Sequence, residues 1–151
     1  MTGTPIHEPA PAKVNLFLHV TGQRANGYHE LDSLVVVADV ADSIHIYPAK
    51  NGPDLALEVI GPYANALPAS EDNLAIKAAR LVRARAMEAG TSLAQPARII
   101  LTKRLPAASG IGGGSADAAA ALRATNRFWG TNFDLSAMIP EIVSLGADFP
   151  F

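Results

Sequence analysis

A glycine-rich segment that runs directly into alanines is the part of this sequence best suited to chemistry. Residues 105–122 read LPAASGIGGGSADAAAAL, with glycine at four of the five positions 110–114. Glycines let backbone N–H groups converge, and a helix beginning there adds unpaired N–H donors and the positive end of its dipole. The segment therefore predicts an anion site, most often for phosphate. The Ser115 hydroxyl could add a contact to a phosphate oxygen or to a Mg²⁺ ion.

Two well-known phosphate-binding loops do not fit this segment. A P-loop has Lys followed by Ser or Thr after its last glycine, whereas Gly114 is followed by Ser115 and Ala116. A dinucleotide fingerprint needs a third glycine where Ser115 stands, after Gly110 and Gly112. The alternative is a tight loop that only allows close packing of a strand and a helix. Five small residues in a row before an alanine-rich helix favour the anion site.

Strands with a period of two residues precede this loop. One is predicted over residues 12–20, where an aliphatic face alternates with a face that carries Lys13 and Asn15, as is typical of a half-buried strand. Asn26-Gly27 then predicts a hairpin turn. Further strands are predicted over residues 33–38, 43–47 and 55–60, and an antiparallel meander is the arrangement that the turn residues between the last two favour.

Helical periodicity begins after residue 71. Apolar residues at helical spacing over residues 74–86 predict a helix with Asp72 or Asn73 as its N-cap and Gly90 at its end. A strand at 97–102 leads into the glycine loop, and two more helices are predicted over residues 115–128 and 134–145, the second capped by Asp134 and closed by Gly146. The sequence therefore predicts a single α+β domain with an early, mostly antiparallel sheet and later helices packed on it.

Composition narrows the class of protein. The chain has 151 residues, 49% of them hydrophobic and 17% charged, with a formal net charge of -2. These values predict a globular domain without the basic footprint of a nucleic-acid-binding protein. The absence of cysteine excludes disulfides, thiolate metal sites and a cysteine nucleophile. The N-terminal residues show no secretory signal, and no apolar run approaches membrane-spanning length, so a cytoplasmic protein without a membrane or nucleic-acid partner is expected.

The glycine-rich segment resembles the central phosphate-binding motif of the GHMP kinase superfamily. Three further stretches resemble that family in the right order: PAKVNLFLHVTGQRANGYHEL, EDNLAIKAARL and GADFPF. NGYHEL is most similar to the branch that acts on 4-diphosphocytidyl-2-C-methyl-D-erythritol in non-mevalonate isoprenoid biosynthesis. The resemblance implies an N-terminal domain related in fold to a ribosomal-protein domain. It also implies transfer of the γ-phosphate of ATP, accompanied by Mg²⁺, to a hydroxyl of that substrate, the 2-hydroxyl.

The resemblance also implies roles for individual residues. Lys13 and Asp148 would form the catalytic pair, with Asp148 as the base and Lys13 as its partner. Asn15, Tyr28 and His29 would bind the substrate, and Ser115 would contact the ATP-bound Mg²⁺. The residues implied in ATP binding are Asn73, Lys103, Pro106, Ala107, Ala108, Ser109, Gly110, Ile111, Gly112, Gly113, Gly114, Ser115 and Ala116.

Pattern alone would give several of these residues ordinary structural roles. Lys13 would be a solvated lysine on an exposed strand face, and Lys103 a solvated strand end. Asn73 would be a helix N-cap, and Asp148 a turn residue after Gly146.

Length sets a further expectation, because members of this family have two domains and about twice this length. Residues 1–151 are expected to be the N-terminal, ATP-binding domain without the C-terminal domain, and to be weakly active or inactive alone. The alternatives are another GHMP kinase, such as a homoserine or mevalonate kinase, a non-catalytic nucleotide-binding fragment, or a nucleic-acid-binding module. The sequence leaves the oligomeric state open.

Overall fold

A four-stranded mixed sheet with helices packed on it forms the framework of the molecule. The computed structural model describes residues 4–25, 27–50, 53–67, 71–90, 95–107, 110–138 and 140–141. The strands are β1 (Ile6–Gln23), β2 (His29–Pro48), β3 (Leu55–Ile60) and β4 (Ala97–Thr102), and the helices are α1 (Leu74–Glu88) and α2 (Gly113–Trp129). Two short 3₁₀ helices span Ala64–Ala66 and Leu135–Met138. The predicted α+β class is confirmed.

The order of strands in the sheet is β1-β2-β4-β3, which corrects the predicted meander. β1–β2 and β2–β4 are antiparallel, whereas β3 lies at the far edge and pairs with β4 in parallel. A parallel pair needs a crossover connection, and α1 supplies it between β3 and β4. The register places Leu57 opposite Ile99 and Val59 opposite Leu101. These two pairs therefore lie on the same face of the sheet.

The first two strands are longer than the periodicity predicted. β1 already begins at Ile6, and the two segments predicted at 33–38 and 43–47 belong to one continuous strand, β2. Proline hid the beginning of β1 from the pattern, because Pro9 and Pro11 lie within it. Proline is tolerated there because β1 is an edge strand of the sheet.

Alanine and branched aliphatic residues fill the core between the sheet and the helices. Ile44, Ile46, Ile99 and Leu101 are fully buried in the sheet. Against them pack small and branched side chains of both helices: Ala75, Ile76, Ala78, Ala79 and Val82 of α1, and Ala118, Ala120, Ala121 and Ala124 of α2. Small residues allow the helices to lie close to the sheet. The predicted apolar stripe of the first helix is therefore confirmed for its buried members.

Specific polar contacts fix where the helices begin and how they dock. The Asn73 side chain accepts a hydrogen bond from the Ala75 N–H at 2.9 Å, so Asn73 rather than Asp72 is the side-chain cap of α1. Arg123 and Arg127 of α2 form ion pairs with Glu8 of β1 at 2.6 and 2.8 Å. Asp134 accepts from the Ser136 N–H at 3.0 Å, at the start of a 3₁₀ helix. Of the helix predicted over residues 134–145, the structure describes 134–138 and 140–141, with the 3₁₀ helix at its start, whereas residues 139 and 142–146 lie outside the described residues.

Beyond the reach of β4, the first two strands continue alone as a two-stranded ribbon, residues 13–23 and 29–41. β4 pairs with β2 only at residues 43–48. The aliphatic face predicted to be buried in the first strand is exposed there: Val14 38%, Leu16 61%, Leu18 45% and Val20 60%. That prediction was wrong because no helix or third strand of the described residues covers this part of the hairpin. We call this two-stranded segment, residues 13–23 and 29–41, the apolar ribbon.

In the described part of the chain, no helix is both long enough and apolar enough to cross a membrane.

Candidate functional site

The glycine-rich loop leads from the end of β4 to the N-terminus of α2, where none of the described side chains acts as a cap. α2 begins at Gly113, two residues earlier than predicted, and Gly112 before it has φ of +71°, in the left-handed region. Residues with a Cβ rarely adopt this conformation, so glycine is needed at 112. Within the described part of the chain no side chain caps this end, and its first turn holds no acidic residue. The helix dipole and the N–H donors of the first turn are therefore available to an anion.

Lys13 lies against this loop through its backbone. Its N–H donates to the Ile111 carbonyl at 3.0 Å. The pairing of β1 with β2 shifts register between Pro11 and Lys13, and this bulge accompanies the turning of the Lys13 amide towards the loop. Lys13 is half-buried rather than fully solvated. The structure thus brings the predicted catalytic lysine and the predicted phosphate loop together, although they are almost 100 residues apart in sequence.

Lys103 is buried beneath the loop, which overturns its interpretation from pattern as a solvated strand end. Its side chain is 1% exposed, and its ammonium group donates to Asp117 at 2.8 Å and to Asp42. Asp42 and Asp117 are themselves 0% and 2% exposed. An ideal Cβ on Gly113 would lie 3.1 Å from Lys103 Nζ, so the absence of a side chain at 113 makes room for the ammonium group.

The two aspartates were missed by sequence reasoning, although each left a signal. Asp42 lies between two apolar stretches of a strand, LVVVA at 34–38 and IHIY at 44–47, and Asp117 interrupts an alanine run in a helix. A carboxylate in such a position is rarely buried without a partner. Lys103 is the partner of both aspartates. Burial lowers the pKa of Lys103, but its hydrogen bonds to Asp117 and Asp42 outweigh burial and raise the pKa above its ordinary value.

Burial raises the pKa of Asp117 to about 7, while Lys103 lowers it and Asp42 raises it. The ordinary value is 3.8, so between pH 4 and 7 the folded state binds a proton that the unfolded state has lost, and stability falls as pH rises. We expect the unfolding free energy to decrease by about 1–3 kcal/mol more between pH 5 and 8 in the wild type than in Asp117→Asn. Urea unfolding at several pH values measures both profiles.

Taking the difference between the two profiles removes the contribution of other groups, such as His45, whose pKa burial lowers. Asp134→Asn is the control, because the pKa of Asp134 is lowered, chiefly by its hydrogen bond from the Ser136 side chain, and it titrates below this pH window. Parallel profiles for the wild type and Asp117→Asn would contradict the prediction.

Most of the other predicted ATP-binding residues lie at or near the loop, and two lie outside the described residues. The start of α1 adjoins the start of α2, since an ideal Cβ on Gly114 would lie 3.8 Å from Leu74 Cδ1, and this contact brings Asn73 to the vicinity of the loop. Ser115 is nearly buried in the first turn of α2. Pro106, Ala107, Gly110 and Ala116 lie on the loop and at the helix start, whereas Ala108 and Ser109 lie outside the described residues. Asp148 and the rest of GADFPF also lie outside them.

The predicted substrate-binding residues lie at the two ends of the apolar ribbon, one near the loop and two far from it. Asn15 is two residues from Lys13, and its buried Oδ1 accepts no hydrogen bond from the described residues. Tyr28 and His29 lie at the other end of the ribbon, where His29 pairs with Gln23. Gln23 lies ten positions after Lys13 along β1, a contour of about 30 Å. Register shifts at Asn15/Phe17 and Val20/Gly22 bend the ribbon, so the direct separation is shorter than this contour.

The loop can offer a metal ion one hydroxyl oxygen, but not a set of several protein ligands. Among the described residues, no group of three or more His, Cys, Asp or Glu side chains could hold a metal ion. Mg²⁺ is commonly held by substrate phosphates with only one or two protein ligands. The Ser115 hydroxyl at the uncapped helix start fits the role of a single such ligand to an ion that arrives with ATP.

Comparison with known proteins agrees with this fold and loop. The chain matches the family described as GHMP kinases N terminal domain over residues 73–149, about half of its length and including the loop. The chain therefore belongs to the GHMP kinases. The family and the fold implied by the sequence motifs are confirmed.

The similar proteins carry more specific names. A 4-diphosphocytidyl-2-C-methyl-D-erythritol kinase of Ruegeria pomeroyi is 52% identical, covering 93% of this chain and 45% of that protein. One of Gluconacetobacter diazotrophicus is 51% identical, covering 99% and 49%. A crystal structure of 4-(cytidine 5'-diphospho)-2C-methyl-D-erythritol kinase superposes with a TM-score of 0.72 at 39% identity, covering 97% of this chain and 48% of that one. The chain spans about half the length of the curated relatives it matches.

Proposed function

We propose that residues 1–151 form the N-terminal, ATP-binding domain of a kinase that phosphorylates the 2-hydroxyl of 4-diphosphocytidyl-2-C-methyl-D-erythritol. The observation that carries the proposal is the uncapped N-terminus of α2, tied through Ile111 to Lys13, in a chain half identical to kinases of that name. The proposal places the protein in the cytoplasm, where ATP is available, in the supply of isoprenoid precursors by the non-mevalonate route. The second domain of the kinase would complete the site.

Phosphoryl transfer depends mainly on positioning and on stabilising charge. In the proposed mechanism the loop N–H groups hold phosphates of ATP, and Mg²⁺ carried by ATP contacts the Ser115 hydroxyl. Lys13, held beside Ile111, offsets negative charge on the transferred phosphoryl group. Asp148, oriented by Lys13, accepts the proton of the attacking hydroxyl. These roles follow the family resemblance and are compatible with the position of Lys13 at the loop.

In the proposed complex, the substrate lies along the apolar ribbon. Asn15 offers a buried oxygen that accepts no hydrogen bond from the residues that the structure describes; it lies two residues from Lys13 and suits a hydrogen bond from a hydroxyl of the polyol. Tyr28 would pack on the cytosine and His29 would hydrogen-bond to it, since an aromatic ring and an imidazole suit a nucleobase. A diphosphate-linked substrate is extended, and the proposal requires it to reach from the loop along the bent ribbon.

Residues 1–151 alone are expected to bind ATP but to turn over substrate at less than about 1% of the rate of a two-domain enzyme, because they span only about half of the relatives' length and a site shared with the other half would be open to water. The test joins residues 1–151 to the C-terminal half of the Ruegeria pomeroyi relative and compares the fusion with the chain alone in a coupled ADP-release assay. Calorimetry with ATP and Mg²⁺ measures binding to the chain alone.

The outcomes separate the alternatives. Near-normal turnover by residues 1–151 alone would refute the need for a second domain. Faster phosphorylation of mevalonate or homoserine by the fusion would replace the substrate with that of another GHMP kinase. ATP binding without any turnover by the fusion would leave a non-catalytic nucleotide-binding domain. Salt-dependent, submicromolar RNA binding without ATP binding would favour the nucleic-acid-binding alternative.

A further inference from the structure

One buried carboxylate connects the two ends of the glycine-rich loop. Asp42, on β2, is 0% exposed. Its Oδ1 accepts from the N–H groups of Arg104 and of Leu105, the latter at 2.8 Å, where the chain leaves β4. Its Oδ2 accepts from the Lys103 ammonium group, which also donates to Asp117 in the second turn of α2. The same aspartate thus holds the beginning of the loop directly and its end through Lys103.

An anion site made of backbone N–H groups depends on this kind of support. Such groups have no side-chain torsions with which to adjust to a ligand, so their positions follow from where the loop ends are fixed. Lys103 also lies against Gly113, with its Nζ 3.1 Å from the position of an ideal Cβ there. Because Asp42 and Asp117 both accept from the ammonium group of this buried lysine, its hydrogen bonds bind the fold together rather than a ligand.

We propose that Asp42 is a positioning residue for the nucleotide, which sets the affinity of the loop for ATP by fixing Arg104, Leu105 and Lys103 beneath it. This inference rests on the proposal that the loop binds ATP. Asp42 does not touch the nucleotide in this arrangement. It acts through the backbone of the residues before the loop and through the lysine under Gly113.

The test is calorimetric titration of residues 1–151 with ATP and Mg²⁺, which reports the dissociation constant and the stoichiometry separately. Asp42→Asn keeps an oxygen that can accept from the two N–H groups but removes the charge that holds Lys103. We expect the dissociation constant to rise about tenfold while the stoichiometry stays that of the wild type. Asp39→Asn, at an exposed position of the same strand, is the matched control and should bind like the wild type.

A residue with only a structural role would behave differently. It would lower the stoichiometry through the unfolded fraction and leave the dissociation constant unchanged. That result, or wild-type values of both quantities, would overturn the inference. A wild-type chain that binds no ATP would overturn the proposed function as well, so the two failures are distinguishable.

A second variant keeps the inference testable if Asp42→Asn does not fold. Arg104→Pro removes one of the two N–H groups that Asp42 holds, at an exposed side chain, and leaves Asp42, Lys103 and Asp117 in place. Its dissociation constant for ATP should rise about threefold relative to Arg104→Ala, which keeps the N–H group. Equal constants for the two Arg104 variants would contradict the role of Asp42.

Discussion

Replacing Lys103 by methionine is expected to lower the unfolding free energy by about 3–5 kcal/mol at pH 8. Methionine preserves most of the volume, so the loss comes from charge rather than from a cavity. The substitution would leave Asp42 and Asp117, 0% and 2% exposed, in the interior without their cation. Removing one partner of a buried ion pair is costly because the remaining charge stays out of water.

Urea unfolding monitored by circular dichroism measures this loss, and loss of the cooperative transition is its extreme form. Lys77→Met is the control: its ion pair with Asp72 spans 3.6 Å, and the two side chains are 34% and 84% exposed. An exposed pair of this kind contributes at most about 1 kcal/mol. The loss for Lys103→Met should shrink at pH 5, because Asp117, whose pKa is about 7, takes up a proton there. Losses below 1 kcal/mol at both pH values would show that the cluster is not paired as described.

Replacing Lys13 by methionine is expected to lower kcat of the fusion kinase by about 100- to 1,000-fold. The substitution removes the cation proposed to offset phosphoryl charge and to orient Asp148. The contact between Lys13 and Ile111 uses the backbone N–H, so it survives the change of side chain. The KM for ATP should therefore change less than about threefold, since the effect falls on the transition state. The coupled ADP-release assay measures both constants.

Lys50→Met, at an exposed position after β2, is the matched control and should retain wild-type kinetics. A fall in kcat of less than tenfold for Lys13→Met would exclude a catalytic role. A large rise in the KM for ATP at unchanged kcat would instead make Lys13 a nucleotide ligand.

The sequence determined the helical half of the fold well because local signals and tertiary packing agree there. An apolar stripe, an N-cap at Asp72 or Asn73 and Gly90 at the helix end were predicted for α1 from local residues, and the structure has the stripe, the cap at Asn73 and Gly90 after the helix. α2 was predicted over residues 115–128 from its alanine content, and it spans Gly113–Trp129 with its alanines packed on the sheet. Helix signals depend on neighbours in sequence, and these need no knowledge of the partner surface.

The sheet was harder to predict, because strand position depends on pairing partners that are distant in sequence. Nothing local to residues 55–60 distinguishes a neighbour of β2 from a parallel neighbour of β4. The alternation of Val14, Leu16, Leu18 and Val20 is a valid strand signal, but it does not reveal whether a third element covers that face. Burial is a property of the whole structure, so alternation predicted the strand and not its environment.

The candidate site divides in a similar way. Backbone chemistry predicted the anion loop, whereas the roles of Lys13 and Asp148 came only from family resemblance. Neither backbone chemistry nor family resemblance predicted the buried cluster of Asp42, Lys103 and Asp117 beneath the loop. Its three members come from β2, from the end of β4 and from α2. Their meeting is a consequence of the strand order β1-β2-β4-β3.

The helix-covered sheet and the apolar ribbon should differ in how easily their backbone hydrogen bonds open. Amides near Ile44 and Ile46 sit in a sheet covered by helices, so their hydrogen exchange should require global unfolding. Amides beyond Asn15 belong to a hairpin of two strands, which is marginal by itself and should exchange through local fraying from the tip. Lys13 stands at the boundary between these regimes, where its N–H is bonded to the loop instead of to β2. Fraying can therefore proceed from Tyr28 down the hairpin while Lys13 and the loop keep their places.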